Sequence, residues 1–363
     1  MDMYTSIIII EIFDALVLGV FIAKNPMIGT QMKKCFTRGF MVLAIVGLSE
    51  WLTIKMNGSS ESLRGLHYVV KYFEFFFVPV IPAIFIDAFI KVKKRKELIT
   101  ALIVHGVLEL IAMPFGLIFY MDEANCYVRG PFYPVYVLFY VLMSVFMVIE
   151  IARFGKGYQN NNYVLIGLGC VFLVSGISLQ LFNSEIRTSW LCVELTLILA
   201  YIYVNDLILQ TDTLTGLLNR LCYEKQLMSV KYDSVVVFFD VDSFKSINDT
   251  FGHSVGDEAL KLVSRCILNN FGKEARCYRI GGDEFCAVFK KKSKYSINQS
   301  HERISALIEH FEMEIREIRK DDPRFTGVSV GYSFVNKEFE INWAVEYADR
   351  KMYECKKRNK DAD

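Results

Sequence analysis

Apolar residues fill the first part of the chain in long, almost uninterrupted stretches. Seven of these approach the roughly 20 residues that a helix needs to cross a membrane: 5–23, 39–54, 69–90, 98–120, 132–151, 163–182 and 189–209. The second stretch is the shortest of them. The pattern predicts an all-α, multi-pass membrane domain over residues 1–210, acting as sensor and anchor.

The pattern changes after residue 211 to short apolar runs separated by amphipathic segments. A continuous apolar run predicts a strand at 235–239, and a second strand is predicted at 327–333 between two helical segments. A hairpin is predicted in which 278–280 and 285–289 flank a Gly-Gly turn. Helical periodicity predicts helices at 217–229, 256–270, 298–319 and 341–357. Residues 211–363 are therefore expected to form an α/β (α+β) domain with one sheet covered by helices.

Composition supports the same division. The chain is 53% hydrophobic, and residues 1–211 hold 16 of its 41 Lys and Arg residues and 15 of its 40 Asp and Glu residues. The shorter remainder holds 25 of each, as expected of a water-soluble domain. The net charge of +1 favours no charged partner, and we expect no nucleic-acid binding. The nine cysteines form no C-x-x-C pair, which argues against a structural zinc site.

Basic residues in the predicted loops indicate how the membrane domain is oriented. The loops after the first, third and fifth stretches carry eleven Lys and Arg residues, against five on the other side. Positive loops stay in the cytoplasm, so the N-terminus is predicted outside and residues 211–363 in the cytoplasm. The first stretch has no basic residue before it, so we expect it to be retained in the cytoplasmic (inner) membrane.

Ionisable residues occur inside the apolar stretches, where charge is costly and usually faces a protein interior or a water-filled cavity. They are Glu11, Asp14, Glu50, Glu74, Asp87, His105, Glu109 and Glu194. One interpretation is a pocket for a sensory ligand or ion; the other is hydrogen bonding between helices and contact with lipid headgroups. Pro79 and Pro82 predict a kink in the third stretch. The sequence identifies no ligand.

Two acidic elements carry the candidate chemistry of the second domain. Asp240-Val241-Asp242 ends a buried strand, where alternation places both carboxylates on one face. Asp283-Glu284 follows Gly281-Gly282 at the tip of the predicted hairpin. Clustered carboxylates suit Mg²⁺ with substrate phosphates, and glycines allow close approach of a phosphate and a positive φ. Taken singly, each element is also typical of an ordinary strand-end turn or hairpin turn.

Several motifs in order resemble the GGDEF family of diguanylate cyclases over residues 212 to about 360. The resemblance rests on five segments: 212–220 (DTLTGLLNR), 239–249 (FDVDSFKSIND), 252–257 (GHSVGD), 281–285 (GGDEF), and the weaker pair at 329–331 and 348–349. It implies the GGDEF/class III cyclase palm, a central, mostly antiparallel sheet covered by helices. The implied reaction joins two GTP molecules into cyclic di-GMP and two pyrophosphates.

The resemblance also implies a role for each matching residue. Mg²⁺ would be bound by Asp240, the Val241 carbonyl and Asp283, and Asp283 or Glu284 would help to deprotonate the 3′-hydroxyl. The residues implied to bind GTP are Asn248 and Asp257 at guanine, His253 nearby, Lys245 and Lys356 at phosphate, and Gly281 and Gly282 by backbone access. Asp242 is alternatively a residue that only orients the strand end, His253 a loop-packing residue and Lys356 part of a solvated basic tail.

Two departures from the family pattern are present. The Arg-x-x-Asp of the family's product-inhibition site is replaced at both ends, by Gly272 and Ala275. The C-terminal segment Lys356–Lys360 lacks the usual Gly-Arg-Asn, which leaves Arg358 and Lys360 as alternatives for a second phosphate-binding cation.

One domain binds one GTP in this family, so the resemblance implies a homodimer with a two-fold axis. A catalytically inactive GTP-binding signalling receptor is the main alternative, and a seven-span transporter or receptor with an incidental tail is a third. The absence of G-x-x-x-x-G-K-[ST] disfavours a P-loop GTPase.

Overall fold

The structure is a computed structural model that describes residues 3–89, 92–157, 163–182, 188–230, 234–289, 297–322, 324–325, 327–335 and 341–362. The chain divides into two compact units, Met1–Ile208 and Leu209–Asp363. The division lies next to residue 210, where the hydropathy pattern changes.

Helices make up most of the first unit. They are α1 (Met3–Lys24), α2 (Thr30–Met56), α3 (Arg64–Phe77), α4 (Val80–Phe89), α5 (Val92–Ala112), α6 (Tyr133–Gly157), α7 (Val164–Phe182) and α8 (Ser189–Leu209). Among the described residues, six segments are long and apolar enough to cross a membrane, one of them formed by α3 and α4 together. The apolar segment of α7, Val164–Leu179, is shorter than the others. Seven spans therefore stay a prediction.

The predicted kink in the third stretch is present as a break between α3 and α4. Helix α3 ends at Phe77 and α4 begins at Val80, so the break includes Pro79. Proline has no N–H for the helical hydrogen bond and its ring clashes with the preceding turn, which explains the interruption.

The prediction that the first unit is all-α is wrong over part of the fourth stretch. Helix α5 ends at Ala112, although the stretch continues to residue 120. A 3₁₀ turn containing Pro114 follows, and then Gly116 with a φ of 61°. The chain next forms an antiparallel hairpin of β1 (Phe119–Met121) and β2 (Tyr127–Arg129). Proline and a left-handed glycine end a helix, whatever the hydropathy of the residues beyond them.

Large apolar side chains remain exposed on several of these helices. Examples are Phe13 on α1 (64% exposed), Ile103 on α5 (58%), Leu142 on α6 (59%) and Val174 on α7 (63%). Contiguous apolar surface of this kind is rare on water-soluble monomers and marks contact with lipid or another protein.

The second unit is built on one four-stranded sheet. Its elements are α9 (Arg220–Leu227), β3 (Ser234–Val241), α10 (Phe244–Phe251), α11 (His253–Phe271), β4 (Ala275–Arg279), β5 (Glu284–Phe289), α12 (Ile297–Asp321), β6 (Val328–Val335) and α13 (Ile341–Ala362). The strand order is β4-β5-β3-β6, and all three pairings are antiparallel. The predicted antiparallel sheet is therefore confirmed within the described residues.

Strand β3 is buried along its whole length because helices cover both faces of the sheet. Val237 and Phe239 belong to the core shared with α11 and α12, whereas Val236 and Phe238 belong to the core shared with α9 and α13. Alternate side chains of a strand point to opposite faces, so a strand covered on both sides reads as a continuous apolar run. This explains why the sequence indicated β3 so clearly.

Every element predicted for this domain is present with shifted ends, whereas α10 has no counterpart among the predictions. Helix α10 has only eight residues, and Ser243 before it has a φ of 51°. Gly331 on β6 lets α13 lie directly on the sheet, since a Cβ there would come within 2.2 Å of Ala348 O and Met352 N. The close packing carries the C-terminal part of α13 to the end of β3.

Candidate active site

The predicted carboxylates meet at one end of the sheet. Asp240 on β3 lies opposite Glu284 on β5 and Ser329 on β6 in the strand register. The Val241 amide donates a hydrogen bond to the Asp283 carbonyl oxygen (3.2 Å), which ties the hairpin to the end of β3. Strand pairing thus brings Asp240, Val241, Asp283 and Glu284 together, as the resemblance implies.

Lys356 reaches this cluster from α13, since its ammonium donates a hydrogen bond to Asp240 Oδ1. The pKa of Asp240 is raised to about 6; burial is the largest cause, the hydrogen bond and charge of Lys356 oppose the rise, and the Asp283 and Asp242 charges add to it. Burial also lowers the pKa of Lys356, but the hydrogen bond and charge of Asp240 outweigh this and hold it above its usual value. Lys356 is therefore part of the carboxylate cluster, not only of a solvated tail.

The donor set fits a hard divalent cation. The described residues contain no cluster of three His, Cys, Asp or Glu side chains arranged for a metal. Mg²⁺, however, is commonly held by one or two carboxylates, with substrate phosphates and water completing its shell. Asp240 and Asp283 provide two carboxylates, and the pKa of Asp240 is raised first by burial and then by the Asp283 and Asp242 charges, which a cation would neutralise.

Asp242 belongs to a hydrogen-bonded group that joins two of the motif segments to Asn359 on α13. Ser329 Oγ donates to Asp242 Oδ1 (2.5 Å) and Asn359 Nδ2 donates to Asp242 Oδ2 (3.0 Å). Asn359 and Lys356 are three residues apart on α13 and so share a face. Asp242 therefore holds α13 in the position from which Lys356 contacts Asp240. The interpretation of Asp242 as an orienting residue agrees with these contacts.

Arg279, which lies outside the quoted motifs, links the 212–220 motif to the tip of the Gly-Gly hairpin. Arg279 donates to the Gly282 carbonyl oxygen (2.7 Å from Nη2) and to both carboxylate oxygens of Asp212 (3.1 and 3.2 Å). Asp212 also accepts from the Thr215 amide (2.9 Å) and hydroxyl (2.6 Å). Burial alone would raise the pKa of Asp212, but these bonds from Thr215 and Arg279 hold it below its usual value.

The two hairpin glycines do not use the positive φ that glycine allows, since the described glycines with positive φ are at other positions. A Cβ at Gly281 would lie 2.6 Å from Glu284 Oε2 and 3.2 Å from its Cβ, so any other residue there would force the Glu284 side chain to shift. Gly282 is exposed, and a Cβ there would meet no atom within 4 Å. Open space at Gly282 is consistent with the predicted approach of a phosphate.

The other predicted GTP-binding residues lie on α10 and α11. Asn248 in α10 rests on the backbone of α11, because a Cβ at Gly256 would lie 2.0 Å from Asn248 Oδ1. Asp257 follows Gly256 directly and is exposed, as are His253 and Lys245. The corner between the helices is formed by Gly252, whose φ is 84°. Asn248 thus adjoins the residue that precedes Asp257, and the role of Asn248 and Asp257 in guanine binding stays a prediction.

The two positions that correspond to the family's product-inhibition site carry no charged side chain. Gly272 caps the C-terminus of α11 and Ala275 begins β4 as a buried residue, so neither offers a charged group to an inhibitory ligand. Arg358 and Lys360 are both exposed on α13, and the two alternatives for a second phosphate-binding cation remain.

The sequence of the second unit is similar to sequences of known proteins. Residues 209–362 match the family described as "Diguanylate cyclase, GGDEF domain". The chain is 30% identical over 157 residues to diguanylate cyclase DosC of Escherichia coli strain K12, which covers 41% of this chain and 34% of DosC. It is 34% identical over 159 residues to diguanylate cyclase DgcP of the same strain, which covers 40% of this chain and 44% of DgcP.

A similar solved structure is the GGDEF domain of DgcB from Caulobacter crescentus in complex with c-di-GMP. It is 24% identical, covers 41% of this chain and 90% of that chain, and has a TM-score of 0.35. The chain spans less than half the length of the curated relatives named above. Residues 209–362, which include every motif quoted above, are therefore similar to the GGDEF domain of diguanylate cyclases.

Proposed function

We propose that the protein is a membrane-bound diguanylate cyclase that converts two GTP molecules into cyclic di-GMP and two pyrophosphates. The observation that carries the proposal is the meeting of Asp240, Asp283, Glu284 and Lys356 at one end of the sheet. These residues come from three separate parts of the chain. An inactive GTP-binding receptor would have no need to keep all of them, and none of them is substituted here.

In this reaction the 3′-hydroxyl oxygen of one GTP attacks the α-phosphorus of the other. A phosphodiester bond forms, the bond from the α-phosphorus to pyrophosphate breaks, and the hydroxyl proton passes to a base. Asp283 or Glu284 would accept that proton, since both lie at the hairpin tip beside Asp240. The same step repeated with the roles of the two nucleotides exchanged closes the ring.

Asp240, the Val241 carbonyl and Asp283 would hold Mg²⁺. When bound, the ion supplies charge compensation for the α-phosphate and the departing pyrophosphate. Lys356 would add positive charge without leaving Asp240, because an ammonium has three donors and Asp240 Oδ1 accepts only one of them. Asn248 and Asp257 would bind guanine, with His253 close by, and Lys245 would face phosphate at the start of α10.

Ring closure requires two GTP-bound domains facing each other, so the active species would be a homodimer with a two-fold axis. The six long apolar helices and their exposed apolar side chains support insertion in the lipid bilayer of the cytoplasmic membrane. The loop charges favour a cytoplasmic GGDEF domain. Helix α8 ends at Leu209, where the family match begins, so a change in α8 would pass into the cyclase domain without a linker.

The test is product analysis by mass spectrometry with GTP and Mg²⁺. Full-length protein in lipid nanodiscs is compared with residues 209–363 fused to a dimeric coiled coil, so that an unknown membrane signal cannot hide the activity. We expect cyclic di-GMP from the fused domain and none from its Asp283→Ala variant. Folded, dimeric fused domain that binds GTP without forming product would refute the cyclase and favour the receptor.

A further inference from the structure

The N-terminal unit contains a partly open cavity of about 440 Å³. Its lining comes from the C-terminal end of α2, from α3, from the β1–β2 hairpin, from the start of α6, from the end of α7 and from the start of α8. These ends are the ones that the distribution of basic residues assigns to the outer side of the membrane. A volume of this size is typical of sites for small molecules.

A buried ion pair lines the cavity. Lys71 Nζ donates to Glu74 Oε1 (2.6 Å), and the two side chains are only 7% and 8% exposed. The second carboxylate oxygen, Glu74 Oε2, has no hydrogen-bond partner among the described residues. Leaving a buried carboxylate oxygen without a donor is costly, especially at membrane depth. A ligand that brings a donor to Glu74 would remove that cost.

Two further charges reach the same cavity. Glu50 on α2 is buried, and Arg129 on β2 lies over the Tyr133 ring with its guanidinium carbon 4.7 Å from the centroid. Within the described part of the chain, the charged lining therefore consists of two acids and two bases. A ligand with a net charge would bring uncompensated charge into this low-dielectric site, whereas a ligand carrying one charge of each sign would not.

The rest of the cavity wall is largely aromatic and aliphatic. Phe75 and Tyr136 pack with their ring centroids 4.4 Å apart, and Tyr140 and Trp190 line the same space. The Lys71 ammonium lies 4.2 Å from the centroid of the Tyr127 ring, so the wall already accommodates an ammonium group. Such a wall suits an apolar or aromatic substituent next to the charged groups.

We propose that this cavity binds a zwitterionic α-amino acid with an apolar or aromatic side chain, taken from the outer side of the membrane. The ligand ammonium would donate to Glu74 Oε2, and the ligand carboxylate would accept from the Lys71 ammonium. The inference rests on the proposed membrane orientation, but it is independent of the cyclase chemistry because binding needs no GTP.

The experiment measures binding of each of the twenty proteinogenic L-amino acids to the full-length protein in nanodiscs by calorimetry. For every amino acid that binds, the N-acetyl derivative and the methyl ester are tested, since each removes one of the two charges. The variants are Glu74→Gln and the double variant Lys71→Met/Glu74→Gln, which removes both charges of the ion pair together. Glu109→Gln is the matched control, because Glu109 is also a buried membrane carboxylate with a basic neighbour, His105, outside this cavity.

We expect at least one apolar or aromatic amino acid to bind, and both derivatives to lose roughly 10-fold or more in affinity. Glu74→Gln and the double variant should lose affinity similarly, with Glu109→Gln unchanged and circular dichroism showing all variants folded. Absence of binding by the whole panel to folded protein would overturn the proposal. So would equal binding of the methyl esters, which would indicate a site for organic cations. A protein without diguanylate cyclase activity would still give a valid result in this binding experiment, because binding of the amino acid needs no GTP.

Discussion

Replacing Asp240 with asparagine tests the electrostatics of the proposed active site without an activity assay. The Asp240 side chain is buried, and its pKa is raised to about 6, first by burial and then by the Asp283 and Asp242 charges. A carboxylate whose folded-state pKa is raised contributes stability that is present below its unfolded pKa and is lost as the pH rises through its folded pKa. Ionised Asp240 therefore destabilises the folded domain at neutral pH.

The magnitude follows from the shift. An unfolded pKa near 3.8 and a folded pKa of about 6 differ by about two units, which corresponds to roughly 3 kcal/mol at pH 8. Asparagine has the same shape without the charge, and its carbonyl oxygen still accepts from Lys356. We therefore expect Asp240→Asn to raise the free energy of unfolding by about 1–3 kcal/mol at pH 8 while abolishing activity. This increase in unfolding free energy should be about 2 kcal/mol smaller at pH 4, because the Asp240 carboxyl is then already protonated in the folded domain.

The assay is urea unfolding of residues 209–363 at pH 4 and pH 8 with EDTA, so that no divalent cation stabilises the native protein. Asp249→Asn is the control, since Asp249 is an exposed carboxylate on α10. Two results would contradict the reasoning: an Asp240→Asn domain that is less stable than the unsubstituted domain at pH 8, or a difference in unfolding free energy between the two that is the same at pH 4 and pH 8. Either would show that the ionised Asp240 carboxylate does not destabilise the folded domain.

Three further outcomes are expected. Asn359→Ala removes the donor to Asp242, so it should lower the unfolding free energy by about 1–3 kcal/mol and reduce kcat; urea unfolding with steady-state kinetics checks both. Gly256→Ala puts a methyl group against Asn248, so KM for GTP should rise at least about 10-fold, and an unchanged KM would contradict the guanine site. Added cyclic di-GMP should not inhibit noncompetitively, because glycine and alanine replace the ends of the Arg-x-x-Asp site; initial-rate measurements decide this.

Local pattern predicted the elements of the GGDEF domain well where one residue type dominates a segment. Strand β3 is apolar throughout because both of its faces are covered, and α11 and α12 have a clear helical period. Helix α10 was not predicted because it is short and begins after a residue with positive φ. The C-terminal end of α5 was predicted too far along the chain, because Pro114 and Gly116 interrupt a run of residues that is continuously apolar by hydropathy.

The carboxylates of the proposed active site could be recognised from their motifs, but their supporting contacts could not. Asn359 and Asp242 are 117 residues apart, and Arg279 and Asp212 are 67 apart. Such pairs arise from the register of the sheet and from the position of α13 on β6, and no local spacing encodes either. A motif identifies residues expected to contact a substrate, whereas tertiary packing determines which other side chains hold those residues in position.

The same distinction applies to the membrane unit. By itself the sequence determined that apolar helices occur, that their loops are charged on one side and that Glu50 and Glu74 lie within them. Only the tertiary structure decided that Glu50, Glu74, Lys71 and Arg129 line one cavity. Hydropathy records how much of a helix is apolar, but the rotation of each helix and the β1–β2 hairpin set which polar side chains face one another. Electrostatic balance in that cavity is therefore a property of the fold.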